Sequence, residues 1–350
     1  MVVVGVDVHK RTHTFVVVDQ VGCKLGQRTW AATTAGHQQA VCWVREQFGA
    51  EVVWAVEDCR GLSGRLERDL LAAGQRVVRV PPPLMAEQRR TARAPGKSDP
   101  IDALAVARVA LREPDLPVAA HDEVSREMKL LTDRRDDLVK QRMAMMSRFL
   151  GKLHEIEPGW SPPAGSMDRP TWQRKLADRL ADVPGIVAEL ARDELADITR
   201  DTVTINALER RIAILVGPMA PTLLAMPGAG ALTTAKILAE TAGITRFKSE
   251  AAFARHAGIA PIPVWSGNTA GRVRLSRGGN RQLNAAIHRI ALTQIRLHGP
   301  GKTYYEKKKT EGKTSREALR CLKRQILGVV YRHLLTDHKT ATQTALRAAA

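Results

Sequence analysis

Apolar and polar positions along the first 115 residues alternate in blocks that switch between a strand period and a helix period. Val2–Val8, His13–Asp19 and Lys24–Trp30 read as three consecutive strands joined by short turns, followed by a helix over Gly36–Phe48. Strand Val52–Glu57, helix Leu62–Ala73, strand Gln75–Val80 and a helix from Asp99 to Leu111 come next. Three strands and then alternating helix and strand predict one mixed sheet with helices packed on it. Pro81-Pro82-Pro83 stops the last strand, and the stretch to Lys97 reads as irregular and basic, carrying Arg89, Arg90, Arg93 and Lys97. It is either a solvated loop or an arm that lies on phosphates.

From Asp122 to Ile156 the pattern turns helical. Val124, Leu131, Leu138 and Met145 recur every seven residues, with Met128, Phe149 and Leu153 on the same side. A Pro/Gly-rich break spans Glu157–Gly165. Helical pattern resumes near Trp172, breaks at Pro184-Gly185, and continues through Ile198, Ile205, Leu208, Ile212 and Leu215. The spacing suggests a helical hairpin or coiled coil, used either within one subunit or between two. In the last region Met226-Pro227-Gly228-Ala229-Gly230 precedes a helix over Leu232–Ala242, a helix-hairpin-helix-like arrangement that offers backbone N–H groups to a phosphate. The organisation expected is therefore 1–115 α/β, 116–220 helical, 221–338 mainly helical, and 339–350 a disordered tail.

Charge narrows the class. The chain has 350 residues and a formal net charge of +18, a field that favours polyanions and nucleic acid first. Residues 266–333 carry sixteen Lys and Arg against three Glu, a density better explained by backbone contacts to nucleic acid than by a solvated face. No run of 18 apolar residues is present, no signal peptide is evident, and the four cysteines lack CxxC spacing. A reduced, cytoplasmic protein without a zinc site is the expectation.

Four acids are the candidate chemistry. Asp7 is embedded among valines in the first strand, Glu57 ends the fourth, and Asp99 and Asp102 share one face of an opening helix. A helix-start acid is often a cap, and Ser98 or Asp99 could serve as one. That does not explain Asp7, because a carboxylate among valines is costly unless paired or metal-bound. Divalent metal is the economical reading, Mg²⁺ in particular, since it takes hard oxygen ligands and phosphate oxygens together. His9 lies on Asp7's face if the strand continues, where it could touch substrate. The run Ser266–Arg281, with Arg272, Arg274, Arg277 and Arg281, reads as a phosphate-binding loop. Composition does not say whether a serine in it is a nucleophile or a hydrogen-bond donor.

These motifs together resemble the DEDD-type insertion-sequence transposases, which include the Piv invertase and the bridge-RNA-guided recombinases. The markers are Gly5-Val6-Asp7-Val8-His9-Lys10, Val56-Glu57, Lys97-Ser98-Asp99-Pro100-Ile101-Asp102-Ala103, Pro227-Gly228-Ala229-Gly230, Phe253–Pro261, and Ser266-Gly267 followed by Arg277-Gly278-Gly279-Asn280-Arg281. The resemblance implies a RuvC-like, ribonuclease-H-type mixed sheet for the first domain, with Asp7, Glu57, Asp99 and Asp102 as metal ligands. It also implies a mainly helical C-terminal transposase domain carrying a serine nucleophile, for which Ser266 fits and Ser276 is the fallback. Trp265 stands where the family often has tyrosine or another polar residue. The activity implied is recombination of a mobile element through a phosphoserine link to DNA. Mg²⁺ is the implied cofactor, with Mn²⁺ able to substitute. DNA, a guide noncoding RNA and further copies of the chain, as dimer or tetramer, are the implied partners. The alternative is a metal-dependent nuclease of the Holliday-junction-resolvase kind, which needs the four acids and not the serine.

Overall fold

A computed structural model describes residues 1–57, 61–91, 98–113, 116–119, 123–269, 271, 273–275 and 278–349. The chain divides into two units, Met1–His121 and Asp122–Ala350.

The first unit is built on a five-stranded mixed sheet. In chain order its elements are β1 (Val2–Val8), β2 (Thr12–Val18), β3 (Lys24–Ala31), α1 (Thr34–Phe48), β4 (Val52–Glu57), α2 (Gly64–Ala72), β5 (Arg76–Val80), α3 (Pro82–Thr91) and α4 (Asp99–Arg112). The sheet order is β3-β2-β1-β4-β5; β1 to β3 pair antiparallel, and β4 and β5 join parallel to β1. The central position of β1 explains its near-continuous valines, since helices cover both of its faces. Val4, Val6 and Val8 pack with Phe15, Trp43, Trp54, Leu66 and Leu70 on the α1/α2 side. Val3 packs with Val16, Ala55, Val78, Ala103 and Val106 on the α4 side.

One expectation changes here. The proline run ends β5 at Val80 but opens α3 rather than an irregular segment. Proline is tolerated in a first helical turn, where its missing N–H would have no intrahelical partner. Arg89 and Arg90 fall on this helix; Arg93 and Lys97 lie outside the described residues.

The second unit is helical: α5 (Glu123–Ile156), α6 (Pro170–Leu180), α7 (Ile186–Met219), α8 (Pro221–Leu224), α9 (Ala231–Thr241), α10 (Glu250–His256), α11 (Arg281–Arg296), α12 (Pro300–Thr310) and α13 (Ser315–Ala349). A two-stranded ribbon, β6 (Pro261–Pro263) with β7 (Val273–Leu275), interrupts it. α5 and α7 run antiparallel: Arg135 bonds Glu209, Arg142 bonds Thr202, and Lys152 bonds Glu194. Leu131, Leu138 and Met145 of the seven-residue pattern are buried, while Val124 is exposed. α9 packs against this pair, with Ala235 and Ala239 meeting Met128, Leu131, Ile212 and Val216. The helical and C-terminal regions fall within the same unit, Asp122–Ala350. α13 runs on to Ala349, taking in most of the segment expected as a disordered tail. Extending a helix adds one hydrogen bond per residue without repeating the costly nucleation, and Ala, Leu and Arg extend it readily.

Candidate functional site

Strand alternation puts Val3, Gly5 and Asp7 of β1 on one face, and register aligns Gly5 with Ala55 and Val6 with Val56 of β4. Asp7, next to last in β1, and Glu57, last in β4, each follow that last pair, so they sit at the ends of neighbouring parallel strands on the same face of the sheet. Gly5 brings the helix onto this face. A Cβ at Gly5 would stand 2.0 Å from the Ala103 carbonyl oxygen and 2.6 Å from the Ala107 nitrogen. Only a residue without a side chain admits α4 this close, and the approach brings the first turn of α4 to the end of β1.

Asp99 opens α4 and Asp102 lies one turn on, exposed and buried respectively. Of the two candidate caps, Ser98 or Asp99, Ser98 occupies the N-cap position, without a side-chain hydrogen bond to the helix. His9, just beyond β1, joins two of the acids: its Nε2 lies 2.9 Å from Asp7 Oδ2 and 3.2 Å from Asp99 Oδ1. The ligand atoms of Asp7, His9 and Asp99 all lie within 4.8 Å of one another. Burial pushes the Asp7 carboxyl above the usual carboxylate range; His9 opposes this, and the charges of Asp102 and Asp99 add to it. His9 is raised in turn, chiefly by the Asp7 carboxylate. A half-buried carboxylate crowded by two more can be relieved by a cation, and hard oxygen donors with one imidazole suit a divalent metal.

Ser266 lies in the second unit, exposed, between β6 and a single 3-10 turn at Gly267–Thr269. Two glycines pin the base of its loop. A Cβ on Gly258 (φ +63) would stand 2.3 Å from the Gly278 oxygen, and one on Gly279 (φ +89) 2.4 Å from the Gly258 nitrogen. Asn280 then donates its N–H to the His256 carbonyl at 2.6 Å and caps α11 by accepting from the Leu283 N–H. Its amide also donates to buried Glu240 on α9, to which Lys129 of α5 donates at 2.8 Å. Arg274 and Arg281 are exposed on β7 and at the start of α11; Arg272, Ser276 and Arg277 lie outside the described residues. Gly5 entered the sequence reading only as part of a family marker, without its packing role, and Glu240 did not enter it. A glycine in a strand does signal a close backbone approach, but the helix that meets Gly5 begins more than ninety residues later.

Two family models match the chain: a transposase model of the DEDD IS110 type over residues 4–158, and a model described as Transposase IS116/IS110/IS902 family over residues 220–306. The insertion element IS900 42 kDa protein of Mycobacterium paratuberculosis is 30% identical over 97% of this chain and 98% of its own length. The insertion element IS116 44.8 kDa protein of Streptomyces clavuligerus is 28% identical, covering 98% of each chain. Among solved structures, T. thermophilus RuvC in complex with Holliday junction substrate aligns with 31% of this chain and 91% of its own, at 19% identity and a TM-score of 0.26. Among the described residues no helix is long and apolar enough to cross a membrane.

Proposed function

Because the chain belongs to the IS116/IS110/IS902 family of transposases, we propose that it cuts and rejoins the DNA of an insertion sequence through a divalent-metal site and a serine nucleophile. The observation that carries the metal site is the convergence of Asp7, His9 and Asp99, with Asp102 close enough for its charge to act on Asp7. Asp7, Glu57, Asp99 and Asp102 are the proposed ligands, Mg²⁺ the proposed ion, and Mn²⁺ its substitute. Bound there, the ion would neutralise phosphate charge and stabilise a departing oxygen. Asp7 and Glu57 contribute from the rigid ends of two strands. Asp99 and Asp102 are held by a helix locked onto Gly5.

Ser266 is the proposed nucleophile. Its Oγ forms the new bond to phosphorus as the bond from phosphorus to a DNA oxygen breaks, and its proton is released towards water, to which the residue is exposed. Arg274 and Arg281 would hold the flanking phosphates, with Arg272, Arg277, Arg89, Arg90, Arg93 and Lys97 as further contacts. A guide noncoding RNA and assembly as a dimer or tetramer, with the α5–α7 pair as coiled-coil contact, complete the reading. The positive charge supports a polyanionic partner of either kind.

The test is an adduct assay with labelled element-end and target DNA, Mg²⁺, and RNA transcribed from the element's flanks. Wild type should form a covalent protein–DNA species that Ser266→Ala and Asp7→Asn do not. An adduct that persists in Ser266→Ala removes the serine from the reading. Full hydrolytic cleavage by Ser266→Ala without an adduct makes the protein a nuclease of the resolvase kind.

A further inference from the structure

His9 is held more firmly than a turn residue needs to be. Its backbone N–H points to the Thr12 carbonyl at 3.1 Å and to Nδ1 of His13 at 3.3 Å. His13 is buried and stacks on buried His37, ring centroids 5.2 Å apart and planes 12° from parallel. His37 Nδ1 lies 2.6 Å from Asp69 Oδ2. A buried imidazole stack anchored by a carboxylate therefore fixes the backbone from which the His9 ring projects.

That ring reaches two acids of the candidate metal site through one atom. Nε2 is 2.9 Å from Asp7 Oδ2 and 3.2 Å from Asp99 Oδ1. Adjacent ligands of a small divalent ion, each about 2.1 Å from it, stand about 3 Å apart. Nε2 already stands at the spacing of a neighbouring ligand from an oxygen of each carboxylate. A neutral imidazole carries its single proton on either nitrogen, so Nε2 can offer a lone pair once the proton resides on Nδ1. The ring can pass from hydrogen-bond donor to ligand without leaving its place.

We propose that His9 is a direct ligand of the ion held by Asp7 and Asp99, and that it biases this site towards Mn²⁺ over Mg²⁺. The inference rests on the metal-dependent reading above and adds to the four acids a fifth ligand of different chemistry. Mg²⁺ binds almost exclusively through oxygen, whereas Mn²⁺ accepts both carboxylate oxygen and imidazole nitrogen. An oxygen-only site would discriminate less between them. His9 is half exposed at a turn, so its replacement leaves the sheet and α4 in place.

The test uses the full chain without DNA. Mn²⁺ and Mg²⁺ are titrated calorimetrically into wild type, His9→Ala, His9→Gln and Asp7→Asn, and the Mn²⁺ complexes are measured by pulsed EPR. Wild type should show ¹⁴N coupling of the strength of a directly bound imidazole, absent in both His9 variants. The ratio of Mg²⁺ to Mn²⁺ dissociation constants should fall about tenfold in those variants, the scale on which a single supporting group alters metal affinity. Asp7→Asn should weaken both ions. Asp7-dependent Mn²⁺ binding without ¹⁴N coupling in wild type overturns the ligand role of His9 and leaves the metal reading standing. No Asp7-dependent binding of either ion overturns both.

Discussion

Asp7 stands between buried Val6 and Val8, and burial holds its carboxyl above the usual range. The sign follows: a carboxyl raised in the folded state opposes folding once it ionises, and protonation relieves the cost. In metal-free protein, Asp7→Asn should therefore raise Tm at neutral pH, with the gain shrinking as pH falls through the carboxylate range. The same change should lower DNA cleavage at least ~100-fold if a metal-bound charge worth several kcal/mol is lost. Calorimetry and a cleavage assay check the two halves. His13 makes the complementary case, since burial, and after it the charge of neighbouring His37, push it down to about 4. The unfolded chain takes up this proton near pH 6.5 and the folded chain only near 4, so stability is lost as pH falls across that window. The full loss is on the order of 3 kcal/mol, and His13→Asn should flatten that part of the urea-denaturation pH profile. Alternation alone aligned His9 with Asp7. The histidine stack was not legible, because His13, His37 and Asp69 come from three different elements and each looks ordinary in its own stretch of sequence.

β1 and α4 act as a pair, and Gly5 is their contact. Gly5→Ala would drive a methyl to within 2.0 Å of a helix carbonyl, backbone that cannot swing aside as a side chain can. The helix must shift, at a cost of roughly 1–3 kcal/mol or more, and Asp99 and Asp102 shift with it. Thermal unfolding should show the loss, and titration should show weaker divalent-ion binding than in Val3→Ala, which removes core volume from the same face without a clash. Equal metal affinity in the two variants would mean that the approach at Gly5 serves packing alone. At this scale most of the first unit was readable, because valine-rich central strands and amphipathic helices carry their period openly. α3 was not, since three prolines are a strong stop signal and the same residues suit a first helical turn. The β6–β7 ribbon was hidden for another reason: strands of three residues are too short to display alternation, and proline opens and closes the first of them.

Charge is divided unevenly between the two units. Residues 1–121 hold sixteen Lys and Arg against thirteen Asp and Glu, whereas residues 122–350 hold thirty-eight against twenty-three. Nearly all of the positive field thus belongs to the unit that bears Ser266, and the nearly balanced unit bears the acids. This segregation makes chemistry and backbone affinity separable by experiment. Each phosphate neutralised by a cationic side chain contributes about −0.9 to the slope of log K against log salt for duplex DNA. Arg274 and Arg281 are exposed on either side of the glycine-pinned base of the serine loop. Replacing both with Gln should weaken duplex binding at low salt and flatten that slope by about 1.8 if each contacts one phosphate. Asp7→Asn, measured in the same series without divalent ions, should leave the slope unchanged, because it removes no phosphate contact. Weaker binding with an unchanged slope in the arginine variant would mean that these side chains hold the loop's shape rather than DNA. In that event the cationic contacts lie elsewhere in the second unit, and α12, with Lys307, Lys308 and Lys309 in its last turn, is the next segment to neutralise.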